Sequence, residues 1–365
     1  MKKKKILILC PSPRGTAATQ RLKYEQYLDL LEKEGYVFTI SSFQTNRFWD
    51  IVYKPGRSAE KIWWTAIGYL RRIGDLLRAP FYDAVFVNLW VTPLGFPFFE
   101  RILFFFNKKV IYDIDDMLFL DKKQQGKVSI IQRLKGRRKP LILLKHSSYV
   151  IVCTPKLEEI ANAINKYQRA IDISSTFDTN RFTPVSNYEQ KEIITIGWTG
   201  THSTIPFLET LQPVLAAVSQ QRKMRLLVIA NKEYSMKDVH TDFIPWRAET
   251  EVQDLHHFDI GLYPIPANEW SLGKSSLKAL TYMAIAIPFV ATAYGTNYRV
   301  MQQGVQGFMA LSTEEWIESI VRLIDDVQLR MRMGKAGRKT VEDLYSVKAN
   351  FPKYLQAFKT VVSTE

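Results

Sequence analysis

The chain has no stretch of about 18 consecutive apolar residues, which excludes a membrane-spanning helix. Met1-Lys2-Lys3-Lys4-Lys5 passes straight into an apolar strand pattern rather than into a leader core with a cleavage site. The expected setting is therefore a soluble, cytoplasmic one. Cysteine is scarce as well. Cys10 and Cys153 both fall in apolar strand patterns and read as buried thiols in a reducing compartment, not as a disulfide or metal framework. No G-x-G-x-x-G follows the first strand, so a dehydrogenase is disfavoured. G-x-S-x-G, H-E-x-x-H and a Walker A loop are also missing, which removes the common hydrolase and kinase signatures. There is no low-complexity tract, and repetition is confined to two similar halves.

Acidic residues are short in one half only. Residues 1–180 hold 30 Lys+Arg against 17 Asp+Glu, or +13, whereas residues 181–365 hold 20 against 19, or +1, together the formal +14. A cationic half suits nucleic acid, an anionic membrane or an acidic substrate. No nucleic-acid module is recognisable, so nucleic acid is not an expected partner. The basic residues gather beside aromatic ones, from Lys61-Ile62-Trp63-Trp64 to Arg71-Arg72 and from Lys127 to Lys139. That pattern fits peripheral contact with an anionic membrane, and it fits an ordinary solvated basic surface equally.

With 365 residues the chain exceeds one ordinary core, and two domains are expected. The run Lys5 to Cys10 has the continuous apolar character of a parallel strand covered on both faces. A loop with Gly15 and Thr16 follows, then a helix whose apolar side is Leu22, Tyr24, Leu28, Leu30 and Leu31, closed by Gly35. Ligands gather at the carboxyl ends of such strands, so Gly15, Thr16 and Arg21 are site candidates. Further strands are expected at 37–40, 84–88, 109–112 and 149–154. The third of these runs into Asp113-Ile114-Asp115-Asp116, carboxylates that must be solvated, paired with Lys or Arg, or bound to a cation. They read either as a polar rim for substrate hydroxyls or as capping and turn residues.

Around Thr176 to Pro184 the apolar pattern lapses into turn residues, and a second alternation begins after it. Strands are expected at 193–198, 225–230, near 242–246 and at 260–263, with helices at 205–218 and 249–255. The loop Thr199 to Thr204 is rich in glycine and hydroxyl groups between strand and helix, a natural anion cradle in which His202 either donates to a phosphate or caps the helix. Trp246 ends a strand and either stacks on a base or packs in the core. Glu269 to Ala291 then combines an acid, an aromatic, the loop Gly273-Lys274-Ser275-Ser276, a helix and a buried strand at 288–291. Unpaired N–H groups at that helix start, with Lys278 beside them, suit a phosphate, whereas a capped surface loop would use the same residues. Two βα arrays joined by a linker predict an α/β protein of two Rossmann-like domains facing each other across an interdomain cleft.

In order along the chain, KILILC to Arg21, VIYDIDDMLF (110–119), STFDTNRFTP, IGWTGTHST (196–204), ETEVQDLHHFDIGLYPIP (249–266), SSLKALTYMAIAIPFVA and LRMRMGKAGRKTVEDLY (329–345) resemble the group 1, family 4-like retaining glycosyltransferases of the GT-B fold. The resemblance implies an acceptor domain over 1–180, a nucleotide-sugar donor domain over 190–345, and a last helix, about 347–365, packed back on the first. It places Gly15, Thr16 and Arg21 on the acceptor side, Gly200, Thr201 and His202 against the donor diphosphate, and Lys278 in a K-x-x-E-Y-M-A-like phosphate motif. Lys274, Ser275, Ser276 and Thr281 join the donor site, Trp246 the base, and Asp115 and Asp116 the sugar. The family's two acid positions carry Gly273 and Thr281, and Glu269 stands in for the first. The donor is then a nucleotide-diphosphate sugar and the acceptor a glycan or a lipid-linked one, with no metal and no organic cofactor. A nucleotide-sugar epimerase and a non-catalytic binding partner of a glycan-assembly complex are the alternatives.

Overall fold

Apolar runs become the strands of two all-parallel sheets. The structure, a computed structural model, describes residues 3–119, 136 and 138–363, so the basic stretch Lys127 to Lys139 falls largely outside the described residues. The chain divides into one unit of Met1–Ser174 with Asn350–Glu365 and another of Ser175–Ala349.

In the first unit the strands are β1 (Lys4–Cys10), β2 (Tyr36–Ser42), β3 (Ala84–Asn88), β4 (Val110–Asp113), β5 (Tyr149–Val152) and β6 (Ala170–Asp172), in the spatial order β2-β1-β3-β4-β5-β6. Every pairing is parallel, so each connection must cross over, and the described connections do so through helices. Ile6 to Cys10 have no solvent exposure, and each such aliphatic side chain contributes about 1.5–3 kcal/mol on leaving water. The last helix, Val347–Ser363, supplies Tyr354, stacked on Tyr27, and Phe358, stacked on Phe86.

The expected single helix after Gly15 is in three pieces: Ala18–Arg21, a 3₁₀ turn Tyr24–Tyr27, and Leu28–Lys33. Lys23 breaks it, with φ −126° and ψ −116°. The reason is electrostatic. Its ammonium turns into the interior to meet the Asp113 carboxylate, both groups being almost fully buried, and Asn88 Nδ2 donates to the other oxygen of Asp113 at 3.4 Å. Burial opposes the Lys23 charge, but Asp113, then Cys153 and Asp115, hold its pKa above the ordinary lysine value. Asp113 is thus withdrawn from the polar rim expected of the three neighbouring acids.

In the second unit β7 (Ile194–Gly200), β8 (Met224–Ala230), β9 (Thr241–Pro245), β10 (Ile260–Tyr263), β11 (Phe289–Thr292) and β12 (Gly307–Ala310) are ordered β12-β11-β10-β7-β8-β9, again all parallel. The edge strands β6 and β12 were not expected from sequence, being three and four residues long. The helix expected over 205–218 is two, Ile205–Glu209 and Gln212–Gln221. Pro213 in the first turn of the second explains the split, since its ring excludes continuation from residue 209. Where the chain leaves and re-enters the second unit, its two passages are tied together: Phe177 N–H donates to Tyr345 O and Val347 N–H to Phe177 O.

Truncating Lys23 to alanine leaves a buried carboxylate without its cation and should cost about 3–5 kcal/mol, whereas the apolar pair Lys23→Met/Asp113→Leu should recover most of that loss. Urea denaturation of the two variants beside the parent checks it, and equal loss in both would contradict an electrostatic origin.

Candidate functional site

The chemistry of the second unit concentrates at the carboxyl ends of β7 and β10, where Trp198 and Tyr263 are buried. A Cβ on Gly200 would fall 2.3 Å from the Trp198 ring and 2.8 Å from Thr204 Oγ1, so only glycine lets the loop close over the indole. Beyond it the loop is self-bonded. Thr201 N–H donates to Thr204 Oγ1 at 3.1 Å, and the Thr201 and Ser203 hydroxyls lie 2.8 Å apart. His202, exposed, donates its N–H to Asn231 Oδ1 at 2.7 Å, which hooks the loop to the end of β8. The following helix, Ile205–Glu209, is too short to carry an anion site of its own.

After β10, Asn268 accepts from Ser271 N–H at 3.2 Å and starts the 3₁₀ turn Glu269–Gly273. Glu269 on it is exposed. Trp270 lies 5.9 Å from Phe207 and receives Lys274, whose Nζ is 3.9 Å from the ring centroid. Ser276 departs from its expected role. At φ +57° it turns its hydroxyl inward, 2.7 Å from Asn297 Oδ1 and 2.8 Å from Thr296 Oγ1. Ser275 Oγ lies 3.1 Å from Ser175 Oγ. The helix Leu277–Ala284 therefore begins with no side-chain cap, and its first N–H groups are left for another acceptor. Thr281, in the second acid position of the resemblance, spends its hydroxyl on Leu277 O at 2.8 Å.

Lys278 stands on the first turn of this helix with its Nζ 5.5 Å from the Trp198 ring and 5.6 Å from that of Tyr263. Among the described residues its ammonium has no carboxylate and no hydrogen-bond acceptor. Burial, then the charge of Lys274, lowers its pKa to about 8. Lys278 and Gly200 thus flank one indole, and the uncapped helix start and the positive charge coincide. Such a corner suits a phosphate or another compact anion. Trp246 stands elsewhere, after the edge strand β9, with Nε1 3.4 Å from Glu251 Oε1, and Glu251 in turn meets Arg181 at 3.2 Å.

In the first unit Gly15, at φ +81°, donates its N–H to Glu25 Oε2 at 2.9 Å, and the Thr16 hydroxyl donates to Pro13 O at 2.8 Å. Arg21 is buried. Asp115 and Asp116 are half-buried just beyond β4. The Cys153 thiol donates to Asp115 O at 3.0 Å, and Asp116 Oδ1 accepts from Met117 N–H at 2.9 Å. Among the described residues no three His, Cys, Asp or Glu side chains stand together as a metal cage.

The sequence profile of the glycosyl transferases group 1 family matches residues 192–326. The matched residues all lie within the second unit. A comparison with curated proteins finds no match to the chain. Solved structures share the two-unit architecture of this GT-B glycosyltransferase fold. Sucrose-phosphate synthase of Thermosynechococcus elongatus has a TM-score of 0.74 at 15% identity, covering 100% of both chains. HepE of Anabaena, in complex with UDP-glucose, has a TM-score of 0.66 at 15% identity over 99% of this chain and 100% of that one. The lipopolysaccharide outer core galactosyltransferase WaaB, in its apo form, has a TM-score of 0.57 at 11% identity over 97% and 99%.

Within the second unit the residues not foreseen are Trp198, Tyr263 and Trp270, the rings against which both lysines rest. Their signal was present in aromatic residues at or just after the carboxyl ends of β7 and β10. Gly200→Ala should displace the indole beneath it and lower stability by about 1–3 kcal/mol. Denaturant unfolding measures this, and an unchanged midpoint would mean that the loop does not press on Trp198.

Proposed function

We propose that the chain transfers a sugar from a nucleotide-diphosphate sugar to a glycan or lipid-linked acceptor, with retention of anomeric configuration, in the assembly of a cell-surface polysaccharide. The observation that carries this reading is the Lys278 ammonium, desolvated, without a carboxylate, and seated at an uncapped helix start. A diphosphate would supply the missing negative charge. During transfer, charge builds on the leaving diphosphate, and Lys278 with the backbone N–H groups of 277–279 would stabilise it where water is largely excluded. The same diphosphate would take the proton of the attacking acceptor hydroxyl on the donor's front face, so no protein nucleophile is called for. Positive charge comes from lysine and helix, so the reading asks for neither metal nor organic cofactor. UDP-glucose on HepE and the galactosyltransferase activity named for WaaB support a nucleotide sugar as donor by analogy of fold. Asp115 and Asp116 are assigned to the sugar, Trp246 to the base, and Gly15, Thr16 and Arg21 to the acceptor side.

One observation favours a second reading, a nucleotide-sugar binder without turnover. Gly273 and Thr281 occupy the positions of the family's acid pair, and the Thr281 hydroxyl is engaged by Leu277 O. Incubation with nucleotide sugars and glycan acceptors separates the two, since only a transferase consumes donor in proportion to acceptor added.

Calorimetry with nucleoside diphosphates tests the donor site. Lys278→Ala should weaken binding roughly ten- to hundredfold, the worth of a charge-assisted contact. The pH response gives an independent check. With its pKa at about 8 in the free protein, Lys278 is charged below that value and loses its proton above it, so affinity should fall from about pH 8 upward. Lys278→Arg, charged throughout, should abolish the fall. A parent protein whose affinity is level to pH 9.5, roughly, would remove Lys278 from the diphosphate.

A further inference from the structure

We infer that the first unit docks on an anionic phospholipid bilayer through the face formed by its helices Ser58–Arg78 and Phe98–Phe106. The longer helix is inverted. Its buried side carries Gly68, Arg72, Asp75 and Leu76, while Ile62, Leu70, Ile73 and Leu77, in register at helical spacing with the exposed Ala66 between them, face solvent, Leu70 at 62% exposure. The helix cannot roll to hide them. Arg72 donates to Cys10 O at 2.7 Å, to Ser41 O at 3.1 Å and to Val91 O at 2.8 Å, and pairs with Asp75 at 2.8 Å, so the polar side is anchored to the carboxyl ends of β1 and β2. A close approach fixes the same orientation, since a Cβ at Gly68 would lie 2.6 Å from the Phe43 ring.

The shorter helix extends this surface. Tyr69 and Phe99 bring the two helices together with ring centroids 5.5 Å apart, and Phe98 and Phe105 point outward, Phe105 at 82% exposure. Trp63 and Phe81 stand exposed near either end of the longer helix. Two neighbouring helices thus both leave large apolar and aromatic side chains in solvent, and a cluster of that kind marks an interaction surface.

Charge selects the occupant. Residues 46–109 hold ten Lys+Arg and five Asp+Glu. Of the acids, Asp75 and Glu100 are buried, and Glu60 is held between Arg47 and Arg57. Lys54, shortly before the longer helix, Arg101 on the shorter one and Lys108 just after it are exposed. A second copy of this chain would bring the same positive charges and be repelled, whereas lipid phosphates complement them as the apolar side chains enter the headgroup boundary. Among the described residues no helix is long and apolar enough to cross a membrane, so the contact lies in the surface plane. This inference stands apart from the donor site, and its failure would leave the proposed transferase reading intact.

Co-sedimentation of the full chain with phosphatidylcholine vesicles, with and without phosphatidylglycerol, tests it. Binding should require phosphatidylglycerol and weaken with added salt. Leu70→Ser/Leu77→Ser should reduce the partition coefficient about tenfold or more, and Arg101→Gln/Lys108→Gln should lower it by roughly the same factor. Circular dichroism melts establish that both variants stay folded, as solvent-facing substitutions should. Failure to bind phosphatidylglycerol vesicles, binding indifferent to Leu70→Ser/Leu77→Ser, or a dimer in light scattering that this variant dissolves would each overturn the proposal.

Discussion

A half-buried positive charge without its counter-charge is the constraint around which the second unit is arranged. Lys278 could be stabilised by a carboxylate, yet the positions within reach carry Trp198 and Tyr263, whose ring faces offer a cation only partial compensation. Elsewhere the chain treats buried cations differently. Lys23 has Asp113, Arg72 has Asp75 and three backbone carbonyls, Lys139 has the carbonyls of Thr92 and Leu94, and Arg330 has those of Leu323, Ile324 and Glu189. Each of those is a finished structural contact. Lys278 is left open, and a group held open in this way is poised to take an anion from outside.

How much of this was legible follows from how local each signal is. The inner strands β1, β3, β7, β8, β10 and β11 announce themselves as apolar runs, because a strand covered on both faces needs nothing but apolar residues. The edge strands β6 and β12 are short and do not. Lys23 is invisible as an interior residue, since its partner Asp113 lies 90 positions away and lysine ordinarily points to water. Ser276 read either as part of a phosphate-binding loop or as a helix cap, since serine just before a helix is a common cap. Its hydroxyl was claimed instead by Thr296 and Asn297, some twenty residues downstream. The stretch from Lys61 to Arg71-Arg72 read as a basic surface, turned either to a membrane or to solvent, because a sequence period defines two helix faces but not which is inside. The buried Arg72–Asp75 pair reverses that.

The position of Lys278 is itself the product of glycines on the strands beneath it. A Cβ at Gly197 would meet the Phe258 ring at 2.0 Å, and one at Gly261 would meet the Tyr282 ring at 2.6 Å. Large rings from the flanking layer thus press directly on the backbones of β7 and β10. Tyr282 is fixed further by its hydroxyl, which donates to Leu262 O at 3.0 Å and accepts from Thr199 N–H at 3.4 Å, bridging the same two strands. Because Lys278 precedes Tyr282 by one helical turn, seating that ring also seats the lysine over Trp198 and Tyr263. Gly200 completes the arrangement by letting its loop close against the same indole. Small residues in the sheet, large rings on the helix and a lysine one turn earlier are therefore one device. Enlarging the glycine at 200 or 261 would press on Trp198 or Tyr282 and so disturb the seat of the cation, though neither glycine carries a charge or a polar side chain.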